Sequence, residues 1–180
     1  MHNKILNKYN FIKEFDQSHL DKQDKKTIII FRNYNQQTNE ELILTIKNYC
    51  KKKGNKFLIS NNIKLAIKLN ANGVYISSSN KNLNHKFINL KNNFKILGSA
   101  HNFKEIKIKE LQRVEEIFLS PLFKRKNNTQ LDIYRYLKLK KSTFMKDISL
   151  GGINKSNIKK LKLVNSFGFA AITYFKKKGL

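Results

Sequence analysis

Leu150-Gly151-Gly152-Ile153-Asn154, followed one βα unit later by Gly168-Phe169-Ala170-Ala171-Ile172-Thr173, is the stretch on which the fold turns. Its first half is a short apolar strand running into two glycines. Asn154 then stands where it would cap a helix over Lys155–Leu163. Paired glycines let the backbone turn tightly and bring N–H groups close to a ligand. A helix N-terminus just beyond them offers unpaired donors and a positive dipole end, which suits a phosphate. The second glycine-led strand ends at Thr173, whose hydroxyl reaches toward the same anion. In a closed parallel barrel the loops after the seventh and eighth strands are the usual phosphate site. The same glycines also serve a plain connection with no ligand, since short Gly-rich motifs recur by chance.

Upstream, the apolar runs Tyr9–Ile12, Thr27–Phe31, Phe57–Ile59, Gly73–Ile76, Lys95–Gly98 and Ile117–Leu119 read as strands, and Phe144–Leu150 and Gly168–Tyr174 complete the set. Thr27-Ile28-Ile29-Ile30-Phe31 is uninterrupted and β-branched, the pattern of a strand buried on both faces. Helical patterns separate the strands. Asp16 or Ser18 is placed to cap a brief helix through Asp21–Asp24. Thr38 and Glu41 form a capping box ahead of Asn39–Lys53, which Gly54 stops. Ile63–Leu69 and Phe103–Arg113 follow; Leu131–Leu139 carries a helical stripe in which helix and strand are hard to separate, and Lys81–Asn93 is weakly patterned. Strict β-then-α alternation predicts a parallel sheet with helices outside. Eight repeats predict a compact (β/α)8 TIM barrel, one domain over residues 1–180. Such barrels usually need about 200 residues or more, so the helices must be brief or missing. A doubly wound open sheet is the alternative.

The chain carries 37 Lys plus Arg against 12 Asp plus Glu, a formal net charge of +25. That balance raises nucleic acid as a partner. Against it, only Arg32, Arg113, Arg125 and Arg135 are arginines, the side chain that base edges and phosphate forks favour. The excess is also spread along the whole chain. Lys, Asn and Ile are inflated together, as A/T-rich codons produce. Nucleic acid is therefore not expected, although anions of any kind are attracted. No apolar run is long enough to span a membrane, and Met1–Asn10 has no secretory pattern. Cys50 has no second cysteine to pair with. A cytoplasmic protein with no membrane partner is the expectation.

Polar residues recur just after the strands: Arg32, Ser60, Asn61, Asn80, Ser99, His101, Ser120, Lys126, Gly152 and Thr173. In a parallel barrel those ends converge on one face, where active sites are built. Each also has a plainer reading: His101 as a loop histidine, Lys126 as part of a solvated basic loop, Arg32 as the neutraliser of a strand end.

Six segments in order carry a family resemblance: Ile30-Phe31-Arg32; Leu65-Ala66 with Asn70-Ala71-Asn72-Gly73-Val74-Tyr75-Ile76; Leu97-Gly98-Ser99-Ala100-His101; Ser120-Pro121-Leu122-Phe123; Leu150-Gly151-Gly152-Ile153; and Gly168-Phe169-Ala170-Ala171-Ile172-Thr173. From about Tyr9 to Tyr174 the chain resembles the thiamine phosphate synthase/TenI family. The resemblance implies a (β/α)8 barrel that joins hydroxymethylpyrimidine diphosphate to thiazole phosphate and releases pyrophosphate, with Mg²⁺, Arg and Lys supplying positive charge. It implies that Arg32 meets the diphosphate, that Ser99 lies near the pyrimidine and leaving group, and that Lys126 stands for the family's lysine. It places the thiazole phosphate at Gly152 and Ile172-Thr173. Four positions depart from the pattern. The second diphosphate-binding basic residue falls on Tyr34, an Asn-Asp pair becomes Ser60-Asn61, and an acidic Mg²⁺ ligand falls on Asn80. Hard cations want carboxylate oxygens, which those amides do not supply.

A divergent synthase is the first reading. A metal-independent thiazole tautomerase-like member is the second, with His101 of Ser99-Ala100-His101 shuttling a proton. A non-catalytic phosphate-ligand-binding relative is the third, and an RNA-binding protein driven by charge is the remote fourth. A homo-oligomer is compatible with all of them. Gly152→Asp is expected to abolish thiazole-phosphate binding by placing like charge in the anion site.

Overall fold

A computed structural model describes residues 6–33, 39–84, 90–123, 133–172, 174 and 175. Eight parallel strands form a closed barrel in sequence order. They are β1 (Asn7–Ile12), β2 (Ile28–Phe31), β3 (Phe57–Ser60), β4 (Gly73–Ile76), β5 (Lys95–Ala100), β6 (Glu116–Leu119), β7 (Lys146–Leu150) and β8 (Gly168–Ala171). The pairing of β8 with β1, with Asn7 opposite Gly168 and Asn10 opposite Ala171, closes the ring and rules out the open sheet. Outside lie α1 (Gln17–Asp21), α2 (Glu40–Lys53), α3 (Ile63–Lys68), α4 (Phe103–Leu111), α5 (Ile133–Lys141) and a 3-10 helix, Ile158–Leu163. No α-helix lies among the described residues between β4 and β5, where the sequence is weakly patterned.

Four helices start on a side-chain cap. Asp16, Asn39, Asn62 and Asn102 each accept the backbone N–H three residues on, satisfying a donor the helix leaves unpaired. Two expectations change here. The cap of α2 is Asn39, whose Oδ1 takes the Leu42 N–H at 3.1 Å, and Thr38 lies outside the described residues. The first helix ends at Asp21 instead of running through Asp24, whose carboxylate instead accepts the Lys26 N–H at 2.9 Å. Gly54 ends α2 at φ +78°, as expected of a glycine after a helix.

The larger correction lies after β7. Asn154 caps no α-helix. Its Oδ1 accepts from the N–H groups of Ser156 (2.9 Å) and Asn157 (3.2 Å), while Asn157 Oδ1 accepts the Asn154 N–H at 2.9 Å. Asn157 Nδ2 also donates to the Gly152 carbonyl at 2.8 Å. These short side chains compete with helical hydrogen bonding, so the segment turns on itself and only then enters a 3-10 helix. The expected helix-dipole contribution to phosphate binding is therefore absent.

Side-chain alternation decides what fills the barrel. Tyr9 and Phe11 of β1, Ile28 and Ile30 of β2, Leu58, Tyr75, Leu97, Phe118, Ile148 and Ala170 form the interior cluster. Four aromatic rings meet edge to face within it, including Tyr75 and Phe118 at 5.3 Å between centroids. The alternate residues, among them Ile12, Ile29, Phe31, Ile59 and Ile117, pack outward against the helices.

At the end opposite the mouth, the buried Tyr9 hydroxyl donates to the Glu116 carboxylate, which also receives Lys95 Nζ at 3.2 Å. Burial and the neighbouring carboxylate push the Tyr9 phenol well above its ordinary value, so it stays a donor. Tyr9→Phe leaves the buried carboxylate short of one partner. We expect a loss of about 1–3 kcal/mol, read as a lower urea midpoint at unchanged slope.

Candidate functional site at the barrel mouth

The inward stripes of the strands continue past their C-terminal ends, and the interior turns polar there. Two residues beyond Ile30 comes Arg32, beyond Tyr75 comes Ser77, and beyond Leu97 come Ser99 and then His101. Beyond Phe118 comes Ser120, beyond Leu150 comes Gly152, and beyond Ala170 comes Ile172. The period of two that builds the core thus delivers each of these residues to one cavity of about 420 Å³.

Arg32 is anchored by its N–H on the Ile12 carbonyl at 2.8 Å, and its guanidinium carbon lies 4.4 Å from the centre of the Phe11 ring. The top of the aromatic core therefore carries a planar cation at the cavity floor. Ser99 is buried in the wall. His101 bridges the β5 and β6 ends, with Nδ1 2.7 Å from the Ser120 carbonyl oxygen. A carbonyl only accepts, so Nδ1 carries the proton in this bond.

Gly151 and Gly152 sit at φ +99° and +70°. A Cβ at Gly151 would meet Pro121 Cα at 2.8 Å, and one at Gly152 would meet the Phe123 carbonyl oxygen at 2.7 Å. The glycines are thus required by the neighbouring loop, which donates from Leu122 N–H to Leu150 O (2.9 Å) and from Phe123 N–H to Gly151 O (3.1 Å). Gly151, Gly152 and Ile153 line one side of the cavity, and Ala171 and Ile172 another. Gly152→Asp would act by displacing that loop before its charge mattered. Of the expected site, the structure brings together Arg32, Ser99, His101, Gly152 and Ile172. Lys126, Thr173 and Tyr34 lie outside the described residues.

Asn61 and Asn80 do not fit a hard divalent cation. Asn61 Oδ1 accepts the Ser77 N–H at 2.8 Å and approaches Asn80 Nδ2 at 3.4 Å, and Asn80 Oδ1 accepts the Asn82 N–H at 3.0 Å. Both amide oxygens are neutral and serve the chain itself. Among the described residues there is no group of three or more His, Cys, Asp or Glu arranged to hold a metal ion. Instead a cation of the chain stands behind this loop. Lys109 of α4 is fully buried, with Nζ 2.7 Å from Ser77 O, 2.8 Å from Asn80 O and 2.8 Å from Gln112 Oε1. Burial lowers its ammonium to about 8 from its ordinary value, and the Glu105 carboxylate works the other way.

Lys109 and Gln112 escape a reading of the sequence, because a lysine on a basic helix reads as solvated. The one available signal is position: Lys109 falls three residues after Ile106, on the face α4 buries. A larger crevice of about 580 Å³ flanks the mouth between β1 and α1 and shares Phe11, Arg32 and Ile172 with it. Its buried Asn10 donates from Nδ2 to His19 Nε2 at 2.8 Å, while Asn10 Oδ1 has no hydrogen-bond partner among the described residues. Among the described residues no helix is long and apolar enough to cross a membrane.

A family model described as thiamine monophosphate synthase matches residues 14–175. A thiamine-phosphate synthase of Prochlorococcus marinus is 32% identical over 126 residues, which cover 64% of this chain and 34% of that protein. One of Helicobacter pylori is 26% identical over 147 residues, 78% of this chain and 67% of that protein. The match thus spans about a third of the first relative and two thirds of the second. Among solved structures, a thiamine phosphate pyrophosphorylase from Pyrococcus furiosus superposes with a TM-score of 0.76 at 17% identity, over 94% of this chain and 86% of that one. At that identity the superposition speaks for the fold.

Proposed function

We propose that this chain, which belongs to the thiamine monophosphate synthase family, joins hydroxymethylpyrimidine diphosphate to thiazole phosphate and releases pyrophosphate. The observation that carries the reading is a mouth cavity lined together by Arg32, Ser99, Gly152 and Ile172. Two anionic substrates must be held side by side there. The C–O bond to the diphosphate breaks, its electron pair leaves with pyrophosphate, and the thiazole nitrogen bonds to the freed methylene carbon. The requirement is charge stabilisation of the departing oxygens together with positioning of the acceptor.

Arg32 takes the diphosphate, with the Phe11 ring packed 4.4 Å from its guanidinium carbon. Ser99 borders the pyrimidine. The Gly152 and Ile172 segments hold the thiazole phosphate, and Thr173 and Lys126 are proposed to join them. His101 ties the β5 wall to Ser120, and the proposed reaction assigns it no proton transfer.

The test is pyrophosphate release by the purified chain in magnesium buffer, with each substrate omitted in turn. Release that needs both substrates is expected. Release with the diphosphate alone would indicate hydrolysis and would overturn the reading. His101→Ala is expected to retain most of the activity. A loss of roughly 10²–10⁴-fold would instead identify His101 as an acid–base group.

A further inference from the structure

The turn that leaves β4, Ser77-Ser78-Ser79-Asn80, is organised from beneath by one buried side chain. Lys109 Nζ faces three oxygens, the carbonyls of Ser77 and Asn80 and the Oε1 of Gln112, at 2.7 to 2.8 Å. None of the three carries a hydrogen, so all three bonds must be donated by lysine, and only the ammonium has three N–H groups. Gln112, itself buried, adds Nε2 to the carbonyls of Asn80 at 3.0 Å and Asn82 at 2.9 Å. The carbonyls of this loop are thereby drawn toward α4.

A peptide that turns its carbonyl one way presents its N–H the other way when it is trans. The cis bond among the described residues is Ser120–Pro121, so the Ser77–Ser78 peptide is trans. Its N–H, on Ser78, is directed away from Lys109 while Ser77, Ser78 and Ser79 line the mouth cavity. Ser77 Oγ and Ser79 Oγ lie 3.0 Å apart in the same wall. An amide and paired hydroxyls over a buried positive charge form a cradle for an anion. The nearby carboxylate, Glu105, is engaged elsewhere, accepting from His101 N–H and Asn102 Nδ2.

We propose that the Ser77–Ser79 turn, held and charged from beneath by Lys109, binds the terminal phosphate of a diphosphate without a divalent cation. Lys109 is a positioning residue here, because two of its protons go to loop carbonyls and the third to Gln112 Oε1, leaving none for the ligand. The identity of the ligand rests on the synthase reading above, which supplies a diphosphate to the Arg32 side of this cavity. The observation beneath it is independent: the amides at Asn61 and Asn80 do not suit a metal, and a lysine ammonium stands behind them.

The experiment is calorimetric titration of the full chain with inorganic pyrophosphate, first in EDTA and then in magnesium chloride. Saturable binding in EDTA is expected, changing by less than about threefold when magnesium is added. Lys109→Met should weaken it by about tenfold or more and Lys109→Arg by much less, with thiazole-phosphate affinity unchanged in both. Loss of both ligands together would mark a merely structural role. Should Lys109→Met fail to fold, Ser77→Ala with Ser79→Ala leaves Lys109 and its acceptors in place and should still cost about tenfold. Pyrophosphate binding that appears only with magnesium, or that is unchanged in the serine variant, overturns the proposal. A failure of the synthase reading looks different: metal-free, serine-dependent pyrophosphate binding persists, but the two substrates give no product.

Discussion

If the chain is the synthase proposed above, Arg32→Ala is expected to lower the rate of thiamine phosphate formation by roughly 10²–10³-fold, the range found when one preorganised donor to a developing anion is removed. The effect is expected mainly on the rate at saturating substrate, since negative charge on the departing oxygens grows as the bond breaks. Arg32→Lys should recover little. The guanidinium carbon lies over the Phe11 ring at 4.4 Å, and a planar fork offers two parallel donors where an ammonium offers a point charge. Folding should be untouched, because the Phe11 ring stays packed against Tyr75 and Phe118 whatever stands above it. Steady-state kinetics with melting curves for both variants provide the check. A fall in melting temperature that tracks the fall in rate would assign Arg32 to the fold instead.

Gly152→Ala should be a severely damaging single-methyl change in the site. The residue sits at φ +70°, where an L side chain costs about 1–2 kcal/mol. The added carbon would also stand 2.7 Å from the Phe123 carbonyl oxygen and 2.9 Å from Phe123 Cβ. Relieving that contact means moving the loop after β6 off its hydrogen bonds to Leu150 and Gly151. Overpacking of this kind adds about 1–3 kcal/mol, so the melting temperature should fall on the order of 10 °C. Thiazole-phosphate affinity should fall with it, because Gly152 and its neighbours Gly151 and Ile153 line the cavity and would shift with the strain. Gly152→Asp should then be little worse than Gly152→Ala. If alanine leaves both melting temperature and affinity at wild-type values while aspartate abolishes binding, charge alone governs the site and the packing account is wrong.

The parts of this architecture that follow from period-two alternation could be read from the sequence. Ile30 to Arg32, Leu97 through Ser99 to His101, and Phe118 to Ser120 are inward stripes whose last members must face the mouth once the barrel closes. What could not be read depends on competition between side chain and backbone. Asn154 and Asn157 take each other's N–H groups and forestall the helix that the Gly-Gly sequence advertises. Asn39, one residue after the Thr38 of the apparent capping box, caps α2. Lys109 was hidden for another reason: among so many lysines nothing local distinguishes one whose ammonium is consumed by loop carbonyls from those in solvent. The glycines of Leu150–Ile153 were legible as a tight turn, but not as the surface against which Pro121 and Phe123 rest.

The most direct test of the central claim is to incubate the purified chain with hydroxymethylpyrimidine diphosphate, thiazole phosphate and magnesium and to follow the products by mass. Thiamine phosphate accumulating in step with pyrophosphate, and lost in Arg32→Ala, is the result predicted here. Saturable binding of both substrates with no thiamine phosphate formed would contradict it, and would leave a barrel that holds phosphorylated ligands without joining them.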